Sequence, residues 1–209
     1  MSYPGIGTSG QVDTAKGVGN SSTFQDVSTG SYSPGYQSGW YYTPYVVHFA
    51  SSSTRTISSS FFYAQLIFFR EEVTIDQITF EITSAATGGS EMRVGRYNNV
   101  AGRPTTLAEN FGEVASDATG ETTIGSLSST IPAGYSWIVW QAENNVTLRA
   151  NTPTHMTNQL PSSSLTSRAD TICTMFNFSG SVWANGFTDL SATTPGNTGQ
   201  NFNVQFRIA

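Results

Sequence analysis

The side chains of this chain that could catalyse a reaction are its acidic residues and its two histidines, His48 and His155. A serine hydrolase needs a histidine that is oriented by a carboxylate and lies within hydrogen-bonding reach of a serine. Serines occur along the whole chain, so their presence selects no triad, and the G-x-S-x-G sequence of a nucleophile elbow is absent. His48 stands in the apolar run 45–49 and is predicted to be an ordinary strand residue. We therefore expect neither histidine to be catalytic.

Paired carboxylates are the second catalytic arrangement, because two acids that flank a glycosidic bond can hydrolyse it. Glu71 and Glu72 are adjacent, and neighbouring side chains on an extended chain point to opposite sides. Glu81 and Glu91 stand on two successive predicted strands and can approach each other more closely. We interpret them as part of a solvated strand face, and we expect no enzymatic activity and no catalytic residue.

Residues with metal-binding potential are sparse. Cys173 is the only cysteine and lies in an apolar run, so it is predicted to be a small buried side chain. A calcium site is an alternative, with Asp117, Glu121 and the pair Asn98-Asn99 as its candidate ligands, although the D-x-[DN]-x-[DN]-G spacing of a known calcium loop is absent. No histidine and cysteine cluster indicates zinc, no glycine-rich phosphate-binding motif is present, and no cofactor is expected.

Composition limits the classes of partner. Charged residues make up only 11% of the 209 residues, the formal net charge is −5, and Lys16 is the only lysine. A basic nucleic-acid-binding footprint is therefore excluded. The N-terminus lacks the basic start and apolar core of a signal peptide, and no run reaches the roughly 18 apolar residues of a membrane span. We expect synthesis in a cytoplasm and no membrane insertion.

Residues 1–39 differ in character from the rest of the chain. Gly, Ser, Thr, Tyr and Pro dominate them, and apolar residues are sparse and unpatterned. Such a segment cannot bury a core of its own, so it is predicted to be an extended N-terminal arm that precedes a folded domain at 40–209. An arm that orders against a neighbouring subunit is favoured over a free tail. Its candidate docking side chains are Tyr3, Ile6, Phe24, Tyr32 and Tyr36.

From Trp40 onward the chain has the pattern of strands and turns. The predicted strands cover 41–49, 55–69, 73–83, 91–97, 106–114, 121–127, 135–142, 146–150, 170–178 and 201–208. Ile78, Phe80 and Ile82 alternate with polar residues, as a half-buried antiparallel strand requires. The last strand alternates in the same way, with inward positions at Phe202, Val204, Phe206 and Ile208. This spacing predicts an all-β antiparallel sandwich, jelly-roll-like, with loop-rich regions at 151–169 and 184–200.

Aromatic side chains are the remaining candidates for ligand contact, because the face of an aromatic ring can stack on a sugar. Trp137 and Trp140 have opposite parity on one predicted strand, so one is expected to face the core and the other to face outward. Trp183 borders a loop and is the candidate glycan-stacking residue. Core packing and subunit contacts are the favoured roles of the tryptophans as a group.

Residues 60–142 carry an ordered series of short motifs. They are Tyr63-Ala64, Phe68-Phe69, Thr74-Ile75-Asp76-Gln77-Ile78, Thr83-Ser84-Ala85-Ala86, Arg93-Val94-Gly95-Arg96-Tyr97, Gly102-Arg103-Pro104 and Gly134-Tyr135-Ser136-Trp137. The series resembles the β-sandwich module of virion accessory proteins of tailed bacteriophages, which occurs in tail-fibre, minor-tail and head-decoration proteins. It departs from that module at Gln65-Leu66-Ile67, where a proline step is usual, and at Arg96, where an aliphatic residue is common.

The resemblance implies a non-enzymatic structural component of a tailed-phage virion that is made in the host cytoplasm. This component would be an accessory capsid-decoration or tail-appendage subunit that docks onto other virion proteins through its N-terminal arm. A homo-oligomer is expected because strand edges without lysine have little protection against pairing, and the resemblance implies a trimer. The alternative function is a host-surface glycan-binding module that attaches to a receptor.

Overall fold

The computed structural model describes residues 11–14, 23–26, 35–43, 48–155, 175–198 and 200–209. The chain divides into two units, Met1–Tyr36 and Gln37–Ala209. In the first unit, β1 (Gln11–Thr14) and β2 (Thr23–Asp26) pair as antiparallel strands. The segment predicted to be an arm therefore contains a two-stranded sheet of its own.

The second unit is a sandwich of two antiparallel sheets, which confirms the all-β sandwich predicted from the sequence. Sheet I contains β3 (Tyr41–Tyr42), β4 (His48–Ile57), β6 (Val73–Ser84), β9 (Gly120–Ile124), β10 (Ser129–Ile131), β12 (Val146–His155), β15 (Asn201–Phe202) and β16 (Val204–Ile208). Sheet II contains, in spatial order, β14 (Gly196–Thr198), β13 (Met175–Ser179), β5 (Phe61–Phe69), β11 (Gly134–Ala142), β7 (Glu91–Val100) and β8 (Arg103–Ala115).

The C-terminal strand lies in the middle of sheet I. Its β16 segment pairs with β6, with Val204 opposite Phe80, and its β15 segment then leaves β6 and pairs with β12, with Phe202 opposite Ala150. β9 and β10 pair with the other side of β6, β3 pairs with β16, and β4 pairs with β12. Side chains of β6, β9, β12 and the C-terminal strand are therefore neighbours on the outward face of sheet I.

The alternation predicted for β6 and for the C-terminal strand builds the core between the sheets. Buried there are Ile78, Phe80, Ile82, Phe202, Val204, Phe206 and Ile208, as expected. Aromatic rings of the two sheets meet edge to face, with centroid distances of 5.7 Å for Phe69 and Phe206 and 5.1 Å for Trp140 and Phe80. Such pairs are favoured by the quadrupole of the rings in addition to the area that they bury. These contacts confirm the predicted inward faces.

Sheet II is also buried on the face that points away from sheet I. That face carries an apolar cluster, the outer cluster, which consists of Phe62, Ala64, Leu66, Tyr97, Trp137, Val139, Phe176, Phe178 and Leu190, with Phe187 packed against it. Leu190 and Phe187 belong to residues 181–193, which we call the cover segment. The cover segment is hydrogen-bonded to the sheet, since the amide of Leu190 donates to the carbonyl of Thr105 at 2.9 Å.

The cover segment explains why one expectation about the tryptophans is wrong. Trp137 and Trp140 point to opposite faces of sheet II, as their parity predicts, yet both are 0% exposed. Trp140 faces sheet I, while Trp137 lies under the cover segment, stacked on Phe176 at 5.4 Å. The indole nitrogen of Trp137 donates to Asn99 Oδ1 at 3.0 Å, so its polar group is satisfied in the buried site.

Strand boundaries differ from the prediction in several places. The predicted strand 55–69 is two strands, because the chain turns at residues 58–60 and the amide of Phe61 donates to the carbonyl of Ser58. β14 lies inside the region 184–200 that was expected to be a loop, and β12 extends to His155, into the predicted loop 151–169. Residues 156–174, with Cys173, lie outside the described residues.

A candidate site on the outward face of sheet I

The predicted glycan-stacking residue, Trp183, lies in the cover segment with a half-buried side chain. The guanidinium carbon of Arg93 is 3.6 Å from the centroid of its ring, and the same Arg93 forms an ion pair with Glu113 at 3.1 Å. One face of the Trp183 ring is thus covered by a cation of the protein itself, which leaves less of the ring for a sugar. Trp40 is more exposed, at 63%. The role of Trp183 in glycan binding stays a prediction.

The predicted docking residues of the arm lie partly within the described residues. Phe24 is in β2, opposite Asp13 in the register of that small sheet. Tyr36 is half-buried at the end of the first unit. Tyr3, Ile6 and Tyr32 lie outside the described residues. Their role in docking stays a prediction.

The candidate catalytic residues are distributed differently from the sequence expectation. Glu81 is in sheet I and Glu91 is in sheet II, where it lies opposite Ala115, so the two are not cross-strand neighbours. The cross-strand partner of Glu81 is Glu121. His48 and His155, which were treated separately, lie opposite each other in the pairing of β4 with β12.

The candidate calcium ligands other than Glu121 are engaged in other contacts. Asp117 Oδ2 accepts a hydrogen bond from the amide of Gly89 at 2.8 Å, and Asn98 Nδ2 donates to Thr106 Oγ1 at 3.0 Å. Within the described part of the chain, no group of three or more His, Cys, Asp or Glu side chains could hold a metal ion. Among the same residues, none of the helical segments has the length and apolar character needed to cross a membrane.

A β-bulge in β6 gives the outward face of sheet I its first ion pair. Arg207 lies opposite Gln77 and Ile208 lies opposite Ile75, so Asp76 is an extra residue in β6 and points outward together with Gln77. Both oxygens of Asp76 accept hydrogen bonds from Arg207, each at 2.7 Å. These hydrogen bonds lower the pKa of Asp76. Gln77 extends the network, because its amide can donate to the Tyr41 hydroxyl at 2.7 Å and accept from Arg207 at 3.0 Å.

A second ion pair lies further along β6, at Glu81. Arg149 of β12 donates to both oxygens of Glu81, at 2.9 Å from Nε and 2.8 Å from Nη2. Hydrogen bonding by Arg149 lowers the pKa of Glu81. Glu121 of β9 lies directly opposite Glu81 and forms no ion pair with any residue that the structure describes. Glu121 is exposed, and its cross-strand partner also carries a carboxylate.

These two acids line a cleft of about 280 Å³ on the outward face of sheet I. The other lining residues are Thr79, Phe80, Gly120, Asn203 and Gln205. Gln205 is the cross-strand partner of Thr79, and Thr79 Oγ1 is hydrogen-bonded to Thr123 Oγ1 at 3.1 Å. The cleft thus presents carboxylate, carboxamide and hydroxyl groups on the rigid backbone of a sheet. Such groups can donate to and accept from several hydroxyl groups of one small ligand.

Sequence reasoning missed this cleft because its residues are far apart in the chain. The alternation in β6 correctly assigns Glu81 to the outward face, but it does not say which residue lies beside it. That information is in the register, which puts Glu121 of β9 on one side and the C-terminal strand on the other. The alternation predicted for the C-terminal strand also assigns Asn203 and Gln205 to the outward face. This alternation was the signal in the sequence that could have indicated the cleft.

Comparison with known proteins identifies no family. No family model matches the chain, and no curated protein matches it. Two of the solved structures that match are a clostridial cysteine protease, Cwp84, after propeptide cleavage, and the cysteine protease and lectin-like domains of Cwp84, a surface layer associated protein of Clostridium difficile. The first has a TM-score of 0.46 and 14% identity, with 74% of this chain and 39% of that chain covered. The second has a TM-score of 0.43 and 15% identity, with 74% and 35% covered.

The chain therefore spans well under half the length of these two structures. A likeness with such low identity and TM-scores carries no argument about function. The proposals below rest on the sequence and on the contacts described above.

Proposed function

We propose that this chain is a non-enzymatic accessory subunit of a tailed-phage virion, a capsid-decoration or tail-appendage protein that docks through its N-terminal unit. The observation that carries the proposal is the division of the chain at Tyr36, with a separate two-stranded unit on one side and a sandwich on the other. The sandwich buries both faces of sheet II from within its own residues. A domain that completes its own core and is preceded by a separate unit suits a tethered module.

Assembly into a homo-oligomer, with a trimer as the proposed stoichiometry, is supported by the edge of sheet I. β4 pairs along its length with β12, and no strand in the described residues pairs with its other edge. Residues 51–56 of this edge carry hydroxyl side chains and a single charge, Arg55. Lysine and proline are the usual means of blocking an edge, and 51–56 contains neither. Pairing of such an edge within a symmetric assembly removes it from solvent.

The virion proposal is tested with purified particles of the phage that encodes the chain. Mass spectrometry should find the chain in the particles at a copy number comparable to that of other structural proteins, and an antibody against it should label one surface region of the particle. Light scattering of the purified chain should give the mass of a trimer. A chain that is present in the infected lysate and absent from washed particles contradicts the proposal.

A host-surface glycan-binding module is the second candidate function. The observation that favours it is the polar cleft formed by Glu81, Glu121, Asn203 and Gln205. The two functions are compatible, since an appendage can both belong to the particle and contact a cell. Binding of the purified chain to a glycan array, and loss of that binding when a cleft residue is changed, is the test.

A further inference from the structure

We propose that the cleft on the outward face of sheet I binds a saccharide without acidic substituents, and that Glu121 is the main acceptor for its hydroxyl groups. The proposal rests on the glycan-binding candidate and assigns to it a site and a ligand class. It differs from the sequence expectation, which assigned glycan contact to Trp183.

The first argument is the chemistry of the lining. Glu121, Asn203 and Gln205 supply a carboxylate and two carboxamide groups, and these bind vicinal hydroxyl groups through paired hydrogen bonds. Glu81, Glu121 and Gln205 stand in the paired strands β6, β9 and β16, and Asn203 directly precedes the first residue of β16, so the polar groups are held on a rigid support. The volume of about 280 Å³ is at the small end of ligand pockets, which begin at roughly 300 Å³, and it suits one or two sugar rings of a longer chain.

The second argument is the position of Glu121. Like charges directly opposite each other on neighbouring antiparallel strands destabilise a sheet, and Glu121 lies directly opposite Glu81. Arg149 cannot compensate both acids equally, because its Nε and Nη2 groups are engaged by the two oxygens of Glu81. A carboxylate that is exposed and lacks an ion pair among the described residues has the features of a binding group rather than a structural group.

The third argument concerns the charge of the ligand. Glu81 and Glu121 carry two negative charges, and the positive charge nearest to them in the described contacts, Arg149, is paired with Glu81. The remaining negative charge repels sugar acids and accepts neutral hydroxyl groups or an amine. A metal cation is disfavoured as the occupant of the cleft, because both oxygens of Glu81 already accept hydrogen bonds from Arg149.

The test is binding of the full chain to an array that contains maltohexaose, cellohexaose, hexa-N-acetylchitohexaose, chitosan hexamer and hexagalacturonate, followed by titration calorimetry with the members that bind. We expect at least one uncharged or amine-bearing member to bind, with a Kd of about 1 mM or tighter, and hexagalacturonate not to bind. Glu121→Gln should weaken binding about tenfold and should raise the Tm, because it removes the repulsion from Glu81. Glu72→Gln, which makes the same change in charge on an exposed loop, is the matched control and should change neither the affinity for the saccharide nor the Tm.

Three results would overturn the proposal. The first is that no uncharged or amine-bearing member of the array binds. The second is that Glu121→Gln folds and binds the saccharide with unchanged affinity. The third is that calcium chloride raises the Tm of the unmodified chain and that Glu121→Gln abolishes this rise, which would make the cleft a cation site. Incorporation of Glu121→Gln into particles separates this proposal from the virion proposal. If Glu121→Gln is incorporated normally but no longer binds glycan, the result supports the cleft as a saccharide site. If the unmodified chain is absent from particles, the result contradicts only the virion proposal.

Discussion

The guanidinium of Arg93 lies against the ring of Trp183, with 3.6 Å between its Cζ atom and the ring centroid, and this contact joins the cover segment to sheet II. Nearby, the Tyr97 hydroxyl donates to the carbonyl of Thr188 at 2.8 Å, which holds the middle of the same segment. Burial, together with the charge of Asp189, raises the pKa of Tyr97, so its hydroxyl remains a donor over the whole physiological range. Sheet II thus owes its second buried face to a few specific contacts.

Trp183→Ala should destabilise the chain by about 1–2 kcal/mol, because a desolvated cation–π contact contributes up to roughly 2 kcal/mol. Hydrogen exchange should increase mainly in residues 181–193. Trp40→Ala removes a tryptophan that is 63% exposed and should change stability by less than about 0.5 kcal/mol. Urea denaturation measures both. Equal effects of the two substitutions would show that the Arg93 contact does not hold the cover segment.

Gly95→Ala should destabilise the sandwich by about 1–3 kcal/mol, the usual cost of overpacking. A Cβ atom at Gly95 would lie 2.8 Å from the ring of Phe187 and 2.9 Å from Leu107 Cδ1, which is closer than packed carbon atoms approach. Gly88→Ala is the control, because a Cβ atom there meets nothing within 4 Å. Thermal unfolding of the two variants measures the difference, and a Gly95→Ala variant as stable as Gly88→Ala would mean that Phe187 is free to move away.

Phe206→Ala should cost about 3–5 kcal/mol, since it removes a fully buried ring from between the sheets. The lost contacts include the edge-to-face pair with Phe69. Phe68→Ala removes the same ring at a position that is 36% exposed and should cost clearly less. Chemical denaturation compares the two, and a loss below about 1 kcal/mol for Phe206→Ala would make the C-terminal strand peripheral.

Much of the fold could be predicted from the chain, because an antiparallel strand with one buried face repeats every two residues. This pattern identifies the inward residues of β6 and of the C-terminal strand correctly. Parity also separates Trp137 from Trp140, but it cannot reveal that a distant segment covers the second face. The break at Ser58–Ser60 was missed because serine is compatible with both an edge strand and a turn.

The candidate site could be predicted less well than the fold. Glu81, Asn203 and Gln205 were assigned to outward faces, yet their meeting with Glu121 depends on the register between β6, β9 and β16. The bulge at Asp76 illustrates the same limit, since one extra residue turns both Asp76 and Gln77 outward and creates the pair with Arg207. Pairing across long stretches of chain is set by the packed core, which a local pattern does not contain.

Asp76→Asn should reduce stability at neutral pH, and its effect should fade in acid. Hydrogen bonds from Arg207 lower the pKa of Asp76 in the folded state below the value of about 3.9 for an unfolded aspartate. The pair therefore contributes stability that is fully present above about pH 5 and is lost as the pH falls through the folded pKa. Denaturation of the variant and the unmodified chain between pH 7 and pH 2 measures the difference, and a difference that stays constant over this range would contradict the role of the pair.

Docking through the N-terminal unit is the central claim, and removal of residues 1–36 tests it most directly. The cut keeps Gln37 and Gly39, whose contacts with Tyr42 and Ile208 belong to the sandwich. Phage particles that lack the chain are mixed with the full-length protein or with residues 37–209, and the protein that sediments with the particles is quantified. The account predicts that residues 37–209 stay folded by circular dichroism, with a cooperative thermal transition, and fail to sediment with the particles. Binding of the truncated and full-length proteins to the same level would contradict it.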